Sequence, residues 1–213
     1  MVPVASWLIL GGRCRYCRAK ISIQYPLVEA STGILFAAIG YAALPVLAIP
    51  LALAIVALLV CIFVYDLYHT IIPDVWVWPF CILALAFSFF STSYQLPATG
   101  YLLSGPAAAS ILFALWAVSR GRWMGFGDVK LALGIGWLLG FPFGIVAVFF
   151  GFVLGATVSV PLLLWGKTRP GGGAGLTMKS EVPFGPFLIA STFILWFTLM
   201  YNVPIPILQM YGI

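Results

Sequence analysis

Long apolar segments fill most of this chain and limit its fold more than any other feature. Hydrophobic residues make up 63% of the 213 residues and charged residues only 7%, which is more apolar surface than a soluble core of this size can bury. Most of the segments approach the ~20 residues that a helix needs to cross ~30 Å of hydrocarbon. The sequence therefore predicts an all-α, polytopic membrane protein with about seven transmembrane helices. The segments lie at roughly 27–45, 47–65, 75–93, 101–119, 128–140, 142–165 and 184–203.

The start of the chain and one short segment differ from the other predicted spans. Residues 1–26 are polar and are predicted as a cytoplasmic segment, followed by a membrane-embedded domain over 27–213. The segment 128–140 is short, which predicts a helix that is tilted, buried by its neighbours or extended at its start.

The charges follow the predicted spans. All ten basic residues lie in residues 1–26 or in alternate loops and their flanks, and the connections of the other parity carry no charge. The positive-inside rule makes the basic side cytoplasmic. Because the basic residues form no continuous patch, membrane lipid is favoured over nucleic acid as their partner. The acidic residues, which lie at the same ends of the spans, are Glu29, Asp66, Asp74, Asp128 and Glu181.

Two of these acids need an explanation beyond topology. Asp66 ends the second predicted helix, and Asp128 opens the fifth after Gly125 and Gly127. A carboxylate at membrane depth is costly and by default indicates a functional site. Two carboxylates that share one proton can act as base toward water and as acid toward a peptide carbonyl. We therefore predict that Asp66 and Asp128 form one catalytic pair.

Simpler roles exist for several polar residues near this pair. Asp is a favoured N-cap, which is the plainest role for Asp74 and an alternative for Asp128. Lys130 is two residues from Asp128 and on a helix would face elsewhere. A single His in a cytoplasmic loop, such as His69, is most often a surface or hydrogen-bonding residue. The supporting residues of the predicted site are Gly125, Gly127, Asp74 and Lys130.

Cys14 and Cys17 form a CxxC in the polar segment. Two thiolates at this spacing supply half of a structural zinc site, and a tetrahedron needs two further ligands. An incomplete metal site, free thiols and a redox pair all remain open at this point.

The last loop and helix carry glycine and proline signals. The run 170–175 is rich in glycine, so the loop 166–183 is predicted to be flexible, either as a connector or as a lid. Pro183, Gly185 and Pro186 predict a broken or kinked start of the last helix.

Several motifs together resemble one family. Residues 6–17, 21–22 and 25–29 resemble the cytoplasmic segment of bacterial type IV prepilin peptidases. The stretch from Asp66 to Asp74 resembles the family's first aspartate motif, and the stretch from Gly125 to Lys130 resembles its GxGD motif. The motifs occur in the family's order from the N-terminus to about residue 190.

The resemblance implies an aspartic endopeptidase of the bacterial inner membrane with Asp66 and Asp128 as catalytic residues. It implies cleavage of the basic leader of type IV prepilins and type II secretion pseudopilins at the cytoplasmic face, without a cofactor. Many members also methylate the new N-terminus with S-adenosylmethionine and have a first helix and a first CxxC that this chain does not match. Methyl transfer and zinc binding at Cys14 and Cys17 are therefore left open, as is the oligomeric state.

The main rival from another class is a small proton-coupled transporter or channel that uses the same acids. Such a protein would usually have an acid near the membrane midplane or on both sides of it. Here the acids gather at one face, which favours the peptidase. A non-catalytic membrane scaffold would leave Asp66 unexplained.

Overall fold

A computed structural model describes residues 3–91, 98–167 and 183–203. Within these ranges the chain forms helices and no strand, with one isolated antiparallel β-bridge between Arg13 and Lys20. The predicted all-α fold is confirmed. The described helices are α1 (Pro3–Ile9), α2 (Gln24–Tyr41), α3 (Ala48–His69), α4 (Asp74–Phe90), α5 (Ala98–Ser119), α6 (Phe126–Leu139), α7 (Phe143–Lys167) and α8 (Gly185–Met200).

The chain forms two compact units, Met1–Ala42 and Ala43–Ile213. The first contains α1 and α2, and the second contains α3 to α8. Helix α1 was not predicted, and it occupies part of the segment predicted to be polar. The indole nitrogen of Trp7 donates to the carbonyl of Ile21 over 3.2 Å, which ties α1 to the start of the chain leading into α2.

Three of the described helices, α3, α5 and α7, are long and apolar enough to cross a membrane. Helices α4 and α8 are apolar but shorter. The prediction of a membrane protein is confirmed, while the number of seven crossings stays a prediction. Nearly all of the predicted loop 166–183 lies outside the described ranges, and so does Glu181. Their predicted roles therefore stay untested.

Helix α6 lies at the centre of the second unit and packs against α4, α5, α7 and α8. Its side chains are buried on nearly every face, including the fully buried Leu131 and Ile135. At Gly136 a Cβ atom would press against the backbone of α5 at Ser104, so glycine is what allows these two helices to touch. The short helix is thus buried by its neighbours and begins at Phe126, two residues before its predicted start.

The buried face of α3 leads directly to the predicted site. Ile55, Leu59 and Ile62 are fully buried at helical spacing, and Asp66 continues the same stripe. Helix α3 continues to His69 rather than ending at residue 65, and it stops where Thr70 adopts a left-handed φ of 52°. The extra turn makes Asp66 an inward-facing residue of the helix.

Candidate active site

One cavity of about 630 Å³ brings the two predicted catalytic residues together. Asp66 reaches it from the last turn of α3, and Asp128 from the first turn of α6. The turn between α3 and α4, the segment before α6 and the two residues just before α8 complete the walls. Besides the two acids, the lining residues are Thr70, Ile71, Ile72, Gly121, Arg122, Trp123, Met124, Gly125, Phe126, Gly127, Lys130, Pro183 and Phe184.

Asp66 is almost completely buried, with 3% of its surface exposed. Its Oδ2 atom is buried and accepts no hydrogen bond from any described residue. The backbone N–H of Gly185, at the start of α8, is directed at the same carboxylate. A buried acceptor without a full set of partners costs about 1–3 kcal/mol, so the fold keeps this oxygen at an energetic cost.

Asp128 is the third residue of α6 and is 8% exposed. The N-cap of this helix is Gly125, and no side chain caps it, so the alternative of Asp128 as an N-cap is wrong. Instead, the N–H of Gly125 is directed back at the Asp128 carboxylate. Asp128 also lies close enough to Asp66 to experience its negative charge.

Gly125 and Gly127 line the cavity and Gly185 packs against the Asp66 carboxylate, and these three glycines differ in how much room they have. A Cβ at Gly127 would lie 2.9 Å from Ile72 Cβ, and one at Gly185 would lie 2.5 Å from Asp66 Oδ2. A Cβ at Gly125 would come no closer than 3.9 Å to its nearest neighbours. A side chain at Gly127 or Gly185 would therefore force its neighbours to shift, whereas one at Gly125 has room.

Ile72 lies between the two tightly packed glycines. Its Cδ1 would be 3.2 Å from a Cβ at Gly185, and its Cβ faces Gly127. The side chain is 8% exposed. One aliphatic residue in the turn after α3 thus separates the N-terminal ends of α6 and α8.

Lys130 and Asp74 form an ion pair. The pair links the start of α4 to the second turn of α6, and the ammonium group also lies 5.5 Å from the centre of the Phe126 ring. Pro73 is the N-cap of α4, where no side-chain cap bond forms, so the predicted capping role of Asp74 is wrong. The carboxylate instead serves a cation that is far away in sequence. The Asp74 side chain is 61% exposed, which places it at the rim and outside the buried part of the site.

His69 does not line the cavity. It is exposed at the end of α3, where its ring lies 4.4 Å from that of Tyr65. The prediction of a surface residue is confirmed.

Cys14 and Cys17 are free thiols in a tight turn of the first unit. The Arg18 N–H donates to the Cys14 carbonyl over 3.1 Å, and Arg18 has a left-handed φ of 57°. Hydrogen bonds from the Cys17 N–H, the Tyr16 N–H and the Cys17 thiol hold the pKa of Cys14 below its ordinary value. In the described part of the chain, no group of three or more His, Cys, Asp or Glu side chains is placed so that it could hold a metal ion. The residues present therefore supply only half of a tetrahedral zinc site.

Sequence reasoning missed two residues that the geometry emphasises, Ile72 and Gly185. The sequence indicated Gly185 only as part of a kinked helix start. Ile72 was recognised only as part of the stretch from Asp66 to Asp74 that resembles the family's first aspartate motif, with no role of its own.

Comparisons with known proteins agree with the resemblance drawn from the motifs. Residues 1–43 match the bacterial peptidase A24 N-terminal domain, and residues 52–160 match the type IV leader peptidase family. No solved structure matches the chain.

Curated relatives carry the name prepilin leader peptidase/N-methyltransferase. The Bacillus subtilis protein is 30% identical over 195 residues, which cover 90% of this chain and 73% of the relative. The Aeromonas hydrophila protein is 30% identical over 201 residues, covering 92% and 66%. The Burkholderia pseudomallei protein is 32% identical over 193 residues, covering 89% and 59%. The chain thus spans about two thirds of the length of these relatives.

The family match covers about half of the chain and includes both aspartates of the cavity. Relatives of 30% identity or more extend the similarity to most of the remaining residues. The chain therefore belongs to the type IV leader peptidase family, a family of membrane peptidases.

Proposed function

We propose that this protein is a prepilin leader peptidase in which Asp66 and Asp128 activate water to cleave a peptide bond. One observation carries the proposal: Asp66 Oδ2 is buried, accepts no hydrogen bond from the described residues and borders a cavity that also contains Asp128. Acidic groups that are buried in a cleft and coupled to a second charge are typical of catalytic sites. The cavity of about 630 Å³ leaves room for a water molecule and an extended peptide.

In the proposed reaction, one carboxylate removes a proton from water, and the water oxygen attacks the scissile carbonyl carbon. The other carboxyl group donates its proton to the carbonyl oxygen, which gives a neutral tetrahedral diol. The C–N bond then breaks, and the leaving nitrogen takes the proton that came from water. A diol hydroxyl returns a proton to the second carboxylate as the new carboxyl product forms, so the pair ends in its starting state. We assign the two roles to the pair as a unit, because coupled carboxylates titrate together.

The proposed substrates are type IV prepilins and type II secretion pseudopilins, each with a basic leader followed by an apolar stem. The names of the relatives support the prepilin part of this proposal. The cavity walls support it as well. Ile71, Trp123 and Phe126 are exposed apolar side chains beside the two acids, which suits the first residues of an apolar stem.

We propose that the site faces the cytoplasm from the bacterial inner membrane. Arg120 and Arg122 lie in the segment between α5 and α6, at the same end of α6 as Asp128. Basic residues concentrate on the cytoplasmic side of membrane proteins. We further propose that residues 1–26 are cytoplasmic and that residues 27–213 form the membrane-embedded peptidase.

Methyl transfer is the second activity in the names of the relatives. S-adenosylmethionine would supply the methyl group for that reaction. The cleavage reaction proposed above uses the two aspartates and water, and no step of it uses S-adenosylmethionine or zinc.

The proposal is tested by cleavage of a prepilin embedded in the same proteoliposomes as the purified enzyme. The enzyme is compared with Asp66→Asn, Asp128→Asn and Asp74→Asn, because asparagine keeps the side-chain size and removes the titrating group. We expect the first two variants to lose cleavage and the third, an exposed partner of Lys130, to retain it. Absence of cleavage by the unmodified chain, or full cleavage by either of the first two variants, would contradict the proposal.

A further inference from the structure

We propose that Gly185 is a positioning residue that holds the Asp66 carboxylate in its catalytic orientation. The inference rests on the proposed function, because it names what fixes one member of the catalytic pair. Three properties of the start of α8 support it: the space around Gly185, its backbone N–H and the proline that follows it.

The space around Gly185 is closed by the carboxylate itself. A Cβ at this position would lie 2.5 Å from Asp66 Oδ2 and 3.2 Å from Asp66 Cγ, which no real side chain tolerates. A carboxylate that is 3% exposed has little room to move away. Any residue larger than glycine must therefore push Asp66, α8 or both out of place.

The N–H groups of the first turn of α8 are not equivalent. Those of Phe187 and Leu188 both donate to the Phe184 carbonyl, over 3.1 and 3.2 Å. Pro186 has no N–H. The Gly185 N–H is directed instead at the Asp66 carboxylate. Helix α8 has 16 residues, so the positive end of its dipole reinforces this contact.

A purely structural explanation also exists for glycine at this position. Ile72 Cδ1 would lie 3.2 Å from a Cβ at Gly185, so glycine could serve only to let α8 pack on Ile72. The two explanations differ in one respect. Shortening Ile72 to valine removes Cδ1 and relieves that contact, but it leaves the contact with Asp66 Oδ2 unchanged.

The first experiment detects the contact without measuring activity. The sequence has four Phe-Gly pairs, which end at Gly127, Gly144, Gly151 and Gly185. Labelling glycine with ¹⁵N and phenylalanine with ¹³C at its carbonyl therefore selects these four amides in an NMR spectrum of the protein in detergent micelles. We expect Asp66→Asn to move the Gly185 amide resonance and to leave those of Gly144 and Gly151 in place. A Gly185 resonance that does not respond to Asp66→Asn would overturn the inference, even if prepilin cleavage is observed.

The second experiment measures cleavage. We expect Gly185→Ala to lower kcat by about 100-fold, the effect of misplacing a catalytic group by about 1 Å, with KM for prepilin within about twofold. The matched control is Gly151→Ala, whose new Cβ would lie 3.2 Å from Leu188 Cδ1, on α8 but away from the carboxylates. The control adds the same methyl group against α8 and should keep its kcat.

The double variant Gly185→Ala/Ile72→Val separates the two explanations. If Gly185 acts through Asp66, the double variant stays as slow as Gly185→Ala. Recovery of kcat in the double variant, or a normal kcat in Gly185→Ala alone, would overturn the inference while leaving the proposed peptidase intact. If Gly185→Ala fails to fold, the NMR comparison still decides, since it uses only the Asp66→Asn variant.

Discussion

The two aspartate motifs and the CxxC motif are all short in sequence, but the fold assembles the carboxylate cavity and the CxxC turn in different ways. Asp66 and Asp128 are 62 positions apart in sequence and meet in a buried cavity walled by two helices and three connecting segments. Cys14 and Cys17 are three positions apart and lie in a turn where Cys17 is exposed. The first motif is assembled by packing at long range, whereas the second is complete within its own turn.

This difference indicates where each group obtains its chemical character. The backbone of a single turn modifies the Cys14 thiol, and water can reach the turn. The acids depend on partners from distant segments, Gly185 for Asp66 and the charge of Asp66 for Asp128. Substitutions around the cavity should therefore have large and graded effects on cleavage, and substitutions in the turn should have small ones.

The largest effect is expected when either acid of the pair is changed. Asp66→Asn and Asp128→Asn should each lower kcat by on the order of 10² to 10⁴, the contribution of general acid and base catalysis. The double variant should be no slower than the slower single variant, because groups that act as a unit are strongly non-additive. Single-turnover cleavage of prepilin by the three variants measures this. Multiplicative losses would show that the acids act independently.

The two glycines of the GxGD motif should differ. Gly127→Ala introduces a Cβ at 2.9 Å from Ile72 Cβ, so α6 must shift and carry Asp128 with it. We expect kcat to fall by roughly 10- to 100-fold. In Gly125→Ala, kcat should fall by only a few-fold, because Gly125 has a φ of −74° and a Cβ there would have its nearest contacts at 3.9 Å. Steady-state measurement of prepilin cleavage compares the two variants. Equal losses of kcat would mean that the room for a Cβ does not distinguish them.

The ion pair at the rim should contribute little to stability. Lys130→Met and Asp74→Asn should each lower the free energy of unfolding by less than about 1 kcal/mol, because the Asp74 side chain is 61% exposed and water screens the pair. Thermal denaturation of both variants and of the double variant in detergent micelles gives their coupling energy as a double-mutant cycle. A coupling energy of several kcal/mol would mean that the pair is buried in the membrane-embedded protein.

The smallest effect on cleavage is expected in the CxxC turn. Cys14→Ser and Cys17→Ser should cleave prepilin at close to the unmodified rate. The lowered pKa of Cys14 should instead change its reactivity. Near pH 8 a larger fraction of Cys14 is thiolate than of an unperturbed cysteine, so Cys14 should react faster with iodoacetamide. Cys17→Ala should slow this reaction only in part, since the N–H donors of residues 16 and 17 remain. A large loss of cleavage in either serine variant would link the turn to the active site.

The meeting of Asp66 and Asp128 in one cavity could be predicted because a charge in an apolar segment stands out. Asp66 had no simpler structural role, and the glycines before Asp128 indicated close packing. The helical architecture followed from the lengths of the apolar segments. These features depend on local composition, which a sequence displays directly.

The errors concern partners that are distant in sequence. Asp74 looked like a helix cap because its neighbours are typical of one, but its partner Lys130 is 56 positions away. Ile72 and Gly185 acquire their roles only when the ends of α3, α6 and α8 meet. Neither the periodicity nor the propensity of a segment contains that information.

The contact between Gly185 and Asp66 also has a consequence for the order in which the protein matures. Helix α8 is the last described helix of the chain. Its first residue carries the N–H directed at Asp66, and Pro183 and Phe184, which lie just before it, line the cavity. During synthesis the ribosome releases both aspartates long before residue 185. A nascent chain therefore carries its two acids in an incomplete pocket until α8 has been made, and under the proposed mechanism it can hydrolyse a peptide only after that helix docks.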